Sequence, residues 1–178
     1  MQLLGSHHQT MIKQIIFITC ALVFLAQADP ECPKNWSDAS HVDMGCLLFD
    51  GTGIMESWES AQDHCAKSVN RTGTEAAHLV EIFNQDQQDF LAMRLQEYEF
   101  ATGTKRVWWI GATDELLETR WVWPFTFKIA EFSAWADGYP KNDLSANYAA
   151  MGGDKFLWQD YSNSRDHFPI CQYVPTEE

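Results

Sequence analysis

Apolar side chains first gather in Gly45–Phe49 (Gly-Cys-Leu-Leu-Phe), a short run stopped by Asp50-Gly51-Thr52-Gly53. A strand ending in a turn is expected there. Ser57 then stands where a helix cap belongs, and Trp58, Ala61 and Cys65 recur at i, i+3 and i+7 with Glu59, Gln62 and Asp63 on the other faces. That spacing predicts a helix with one apolar stripe. After a polar loop, His78–Ile82 reads as a short strand. Asn84 with Gln87 resembles a capping box, and Leu91, Leu95 and Tyr98 keep helical spacing behind it. From there the rhythm changes to that of strands. Val107–Ala112 is Val-Trp-Trp-Ile-Gly-Ala, and Arg120–Ile129 places Trp121, Trp123, Phe125 and Phe127 at a period of two, with Pro124 breaking the segment or setting it at an edge. A loop rich in Asp, Gly, Asn and Pro fills 130–146, and Tyr148–Met151, Phe156–Gln159 and Phe168–Tyr173 are three further strand candidates. Helices early and strands late, without βαβ alternation, predict an α+β domain on a mostly antiparallel sheet.

The first 28 residues lie outside this pattern. Lys13, the apolar stretch Ile15–Ala26 and the exit Ala26-Gln27-Ala28 have the order of a secretory signal peptide, so cleavage is expected after Ala28 and the mature domain is expected to be 29–178, secreted and extracellular. The true start is Met1 or Met11. Cys20 leaves with the signal; Cys32, Cys46, Cys65 and Cys171 remain, an even number for an oxidising compartment, and two disulfides are expected with three pairings open. The sequons Asn35-Trp36-Ser37 and Asn70-Arg71-Thr72 make Asn35 and Asn70 glycosylation candidates in an exported chain.

Composition removes whole classes of function. The 178 residues are 46% hydrophobic, 13% aromatic and 21% charged, with a net charge of −13. This is a globular composition, and its acidic balance argues against a nucleic-acid partner, which calls for clustered Lys and Arg. No apolar run reaches the ~20 residues of a membrane span. No Gly-x-Ser-x-Gly, His-Glu-x-x-His, P-loop or dinucleotide motif is present, and His41, His64, His78 and His167 show no ligand spacing, so catalysis is not expected.

Several short motifs then fall in one order: Cys32-Pro33 with Trp36; Trp58-x-x-Ala61-x-x-x-Cys65; Trp109-Ile110-Gly111-Ala112; Thr113-Asp114 and Glu118. They continue with Trp121-x-Trp123, Trp135-x-Asp137-Gly138, Trp158-Gln159-Asp160 and Phe168-x-Ile170-Cys171. In that order and spacing the chain resembles the C-type lectin-like domain over nearly all of its mature length, with secreted arthropod lectins of humoral immunity the nearest in character. The resemblance implies two helices flanking a small antiparallel sheet, a long loop region carrying a second small sheet, and the pairs Cys32–Cys46 and Cys65–Cys171. It implies a carbohydrate-recognition protein whose partners are glycans or microbial surface polysaccharides. The alternative is a module that keeps the scaffold and binds other secreted proteins.

Two departures from the family pattern bear on chemistry. The second disulfide near the binding loops is missing, with Tyr148 where its first cysteine would stand, so packing of the Trp-rich segment has to hold those loops. In relatives that bind sugar through calcium, a Glu-Pro-Asn or Gln-Pro-Asp triplet, a later Glu and a Trp-Asn-Asp supply the hard oxygens that calcium requires. Here the triplet reads Tyr139-Pro140-Lys141, the later Glu falls at about Ala146 with Asn147 beside it, and Trp-Asn-Asp is Trp158-Gln159-Asp160. Lys141 brings a positive charge to the ion's place and is expected to pair with Asp160. Tight calcium binding is therefore not expected. Ca2+ stays a secondary possibility, with Asp114, Glu118 and Asp160 as metal candidates. The sugar-site candidates are Tyr139, Lys141, Asn142, Gln159 and Asp160: a phenol ring to stack on a sugar face, and polar groups to bond hydroxyls or, at Lys141, an anionic group.

Overall fold

A computed structural model describes residues 32–51, 53–69 and 76–175. The signal segment expected over 1–28 and the candidate Asn70 lie outside the described residues. Two helices and nine strands form in the order β1 (Ser37–Asp38), β2 (Cys46–Phe49), α1 (Trp58–Lys67), β3 (His78–Leu79), α2 (Gln85–Thr102), β4 (Trp108–Thr113), β5 (Val122–Trp123), β6 (Lys128–Ile129), β7 (Tyr148–Gly152), β8 (Leu157–Tyr161) and β9 (Phe168–Tyr173). A 3-10 turn at Ser40–Val42 follows β1.

The helix signals act where the sequence puts them. Ser57 accepts the N–H of Ser60, and α1 buries Trp58, Ala61 and Cys65. Asn84 accepts the N–H of Gln87, while the Gln87 side chain accepts the N–H of Phe83, one residue before the cap. Gly103 closes α2 in the left-handed region, at φ 65°, where it donates to the carbonyl of Glu99.

β9 is the strand that joins the parts. It pairs antiparallel with β2 and β3, and parallel with β4 through Trp108–Phe168 and Trp109–Pro169. β4 in turn carries β5 and β7, and β8 pairs with β7. All six residues of β4 are buried. Because side chains alternate along a strand, its consecutive tryptophans serve two cores. Trp108 packs with Leu91, Leu95, Trp123 and Trp158, and Trp109 packs with Trp58, Leu79, Tyr148 and Cys171. Disulfides close Cys32–Cys46 and Cys65–Cys171, the second tying α1 to β9 across 106 residues.

Gly111 has no room for a side chain. An added Cβ would stand 2.8 Å from the Leu79 carbonyl oxygen, and the Gly111 N–H donates to the Val80 carbonyl at 2.8 Å. The obstruction is backbone and cannot swing away. Gly111→Ala is expected to lower stability by about 1–3 kcal/mol in urea denaturation, and an unchanged midpoint would contradict this packing.

The period-two stretch Arg120–Ile129 is not one strand. Val122 pairs with Ile129 and Trp123 with Lys128, so β5 and β6 are the arms of a hairpin turning at 124–127. Pro124 has no N–H for the ladder and opens the turn. Trp121 and Trp123 reach the core, Phe125 stacks on His78 at 3.7 Å between ring centroids, and Phe127 is exposed at φ 58°. In place of a second loop disulfide, Tyr148 packs on Trp58 at 4.9 Å, and Trp121, Trp135 and Trp158 form a ladder at 4.6 and 5.5 Å.

Candidate functional site

The candidate residues collect at the end of the domain where β4 leaves the sheet, β7 enters it and β8 completes the edge. Thr113 pairs with Tyr148, and Ala149 with Asp160. The Asp114 N–H continues the β4–β7 ladder by donating to the Asn147 carbonyl at 3.2 Å. Alternation therefore turns Asp114, Asn147 and Asp160 toward the same face of the three strands. Each leaves one buried oxygen without a hydrogen bond: Oδ1 of Asp114, Oδ1 of Asn147 and Oδ1 of Asp160. The other carboxylate oxygens are engaged. Asp114 Oδ2 accepts the Thr119 N–H at 2.8 Å, and Asp160 Oδ2 accepts the Lys141 N–H at 2.8 Å.

Charge accumulates around these oxygens. Burial raises the Asp114 carboxyl above the usual carboxylate range, and repulsion from Asp160 adds to it. Desolvation raises Glu118, which also feels the charges of Asp114, Asp143 and Asp160. Asp143 is held lower by the N–H and hydroxyl of Ser145, both bonded to its Oδ1.

The triplet is arranged otherwise than the sequence suggests. Lys141 meets Asp160 through its backbone amide and not through its ammonium. The Nζ lies 4.9 Å from the centroid of the Tyr139 ring, and this cation–π contact draws the charge away from the carboxylate. The peptide bond between Tyr139 and Pro140 is cis. Gln159 is engaged as well, because its side-chain oxygen accepts the Tyr161 hydroxyl at 2.5 Å. Asn142 is exposed at φ 52°, and Ala146 offers no side-chain oxygen. Tyr139, Lys141 and Asp160 are thus brought together, while Asn142 and Gln159 stand beside them with other contacts or none.

A calcium ion at the triplet position does not fit this arrangement, where a phenol and a lysine occupy two ligand places and Asp160 has one oxygen committed. The face of Asp114, Asn147 and Asp160, with Glu118 at its margin, has the donor chemistry of a hard cation site: oxygens only, three of them buried and unpartnered. Among the described residues, no three His, Cys, Asp or Glu side chains gather closely enough to hold a metal ion. Sequence reading placed Asp114, Glu118 and Asp160 among metal candidates. It missed Asn147, whose signal was its place next to the later ligand position in an acidic loop.

Two helices on a mixed sheet, with an oxygen-rich face between long loops, define a module of the carbohydrate-recognition type. The chain belongs to the C-type lectin family: the lectin C-type domain profile matches residues 54–173. It is 32% identical over 142 residues to C-type lectin domain family 4 member E of Mus musculus, covering 77% of this chain and 53% of that protein. It is 27% identical over 160 residues to asialoglycoprotein receptor 2 of Mus musculus, covering 88% of this chain and 44% of that one. The chain thus spans about half the length of these relatives. Among solved structures, the C-type lectin CEL-I from Cucumaria echinata superposes with a TM-score of 0.68 at 21% identity, covering 82% of this chain and 99% of that one. The herring type II antifreeze protein superposes at 0.63 with 25% identity, covering 82% and 100%. No helix among the described residues is long and apolar enough to cross a membrane.

Proposed function

We propose that this chain is a secreted carbohydrate-recognition protein of innate immunity, which binds microbial surface polysaccharides and whose sugar contact does not pass through a calcium ion at the triplet. Tyr139, Lys141, Asn142, Gln159 and Asp160 are the residues of that contact. The observation that carries the reading is the Lys141 amide held by Asp160 with the ammonium laid on Tyr139, which leaves a ring face and a cation where relatives require two oxygen ligands. Tyr139 would stack on the apolar face of a sugar ring, and Lys141 would bond hydroxyls or an anionic substituent. Any divalent cation would be held instead by Asp114, Glu118, Asn147 and Asp160, where it would join the loops.

Glycan-array binding with and without EDTA tests this. Binding is expected to persist in EDTA and to weaken about ten-fold or more in Tyr139→Ala, from loss of a stacked aromatic contact. Lys141→Ala removes only the ammonium, since Asp160 is held by the main chain. Loss of all binding in EDTA would overturn the reading. Silence on every glycan, together with a protein captured from body fluid, would turn it to the protein-interaction alternative.

A further inference from the structure

At the same end of the domain, two hydrogen-bonded turns stand side by side with leucines at their tips. The Leu117 N–H donates to the Asp114 carbonyl at 3.0 Å, closing the turn 114–117, and the Ala146 N–H donates to the Asp143 carbonyl at 2.7 Å, closing 143–146. The Asp114–Asn147 backbone bond holds the bases of the two turns together. Central turn positions ordinarily carry Gly, Asn, Asp or Ser. Here they carry Leu116, 93% exposed, and Leu144, 81% exposed, with Leu117 next to them at 56%. Neither turn is loose. Thr119 binds Asp114, Ser145 binds Asp143 twice, and the Asn147 side-chain amide donates to the Leu144 carbonyl. The leucines are therefore displayed on a fixed frame, and an exposed apolar cluster on such a frame marks a contact surface.

The shape and charge of the crest select the occupant. Side chains at the tips of convex turns would need two matching pits in a rigid partner, whereas a fluid interface closes around them. Glu115, Glu118 and Asp143 ring the leucines, and the whole chain carries −13, so an anionic surface is repelled. A phosphatidylcholine surface presents quaternary ammonium groups outermost, which complement the carboxylates while the leucines enter the layer below. We propose that Leu116, Leu117 and Leu144 form a docking crest for a zwitterionic lipid surface. It goes beyond glycan recognition and places the sugar-site residues against the membrane that displays their ligand.

Co-sedimentation of the protein with glycan-free phosphatidylcholine vesicles tests the crest. Wild type is expected to bind, and the double variant Leu116→Ser, Leu144→Ser to bind about ten-fold more weakly or less, from the loss of two apolar side chains at the interface. Phe100→Ser, which removes another exposed apolar side chain (92%) on α2, is expected to bind as wild type does. Wild type that ignores these vesicles, variants that all fall together, or preference for phosphatidylserine vesicles would each overturn the proposal. So would capture of a protein by the crest with no lipid binding. Glycan-array signals of the double variant stay at the wild-type level, so failure of the crest and failure of the lectin reading are separately visible.

Discussion

Trp158→Ala is expected to cost about 4 kcal/mol or more, a large share of the 5–15 kcal/mol that holds a domain together. Trp158 is fully buried, with Trp123, Phe132 and Trp135 rings 5.5–5.9 Å from its own. Its Nε1–H donates at 2.7 Å to Gln88, a buried amide on α2, whose Nε2 donates to the Phe156 carbonyl at 3.0 Å. One indole thus fastens β8 to α2, to the β5–β6 hairpin and to the loop before β7. Truncation opens a cavity and strands the Gln88 oxygen in an apolar core, where an unmade hydrogen bond costs a further ~1–3 kcal/mol. Trp158→Phe keeps most of the packing and should lose about 1–2 kcal/mol. Urea denaturation of Trp158→Phe, Gln88→Leu and the double variant is expected to give less than additive losses, because both changes break the same bond. Strict additivity would show that the contact contributes nothing.

Acid is expected to destabilise the domain well before its carboxylates titrate. Burial lowers the His78 imidazole to about 4, as its ring lies stacked on Phe125, and lowers His167 to about 4 between the rings of Trp109 and Tyr161. The unfolded chain takes up a proton on each near pH 6.5, while the folded chain stays neutral there. Unfolding between pH 6.5 and 4 is therefore coupled to proton uptake, and stability falls as the pH drops through that window. At pH 5 the loss is about 2 kcal/mol for His78 and less for the more accessible His167. Glu81, Asp114 and Glu118, raised above the ordinary carboxylate range chiefly by desolvation, act in the opposite direction. They take up protons in the folded state first and soften the decline at the lower end. Urea midpoints at pH 7 and pH 5 measure the effect. His167→Phe, which replaces a ring whose Nε2 has no partner, is expected to change little at pH 7 and to flatten the slope. Equal midpoints at both pH values would contradict the burial of neutral imidazoles.

The elements were legible where local signals act alone. Ser57, Asn84 and the i, i+3, i+7 apolar set specify their helices without reference to any distant residue. The hairpin was not legible in this way. Trp121, Trp123, Phe125 and Phe127 alternate as one strand would, yet only the first two find core space. Pairing of Val122 with Ile129 outweighs the period.

At the site, the sequence by itself determined chemistry and charge: which positions carry an oxygen donor, that Tyr139 and Lys141 stand where the triplet's ligands would, and that the loops are acidic. Tertiary structure decided how those groups are spent. The Lys141 amide reaches Asp160 and its ammonium turns to Tyr139, Gln159 is taken by Tyr161, and Asp114, Asn147 and Asp160 come to one face. The physical reason is reach. Capping and periodicity act within a few residues, whereas a hydrogen bond from residue 141 to residue 160, or a ladder from 114 to 147, exists only once the strands between them have found their partners.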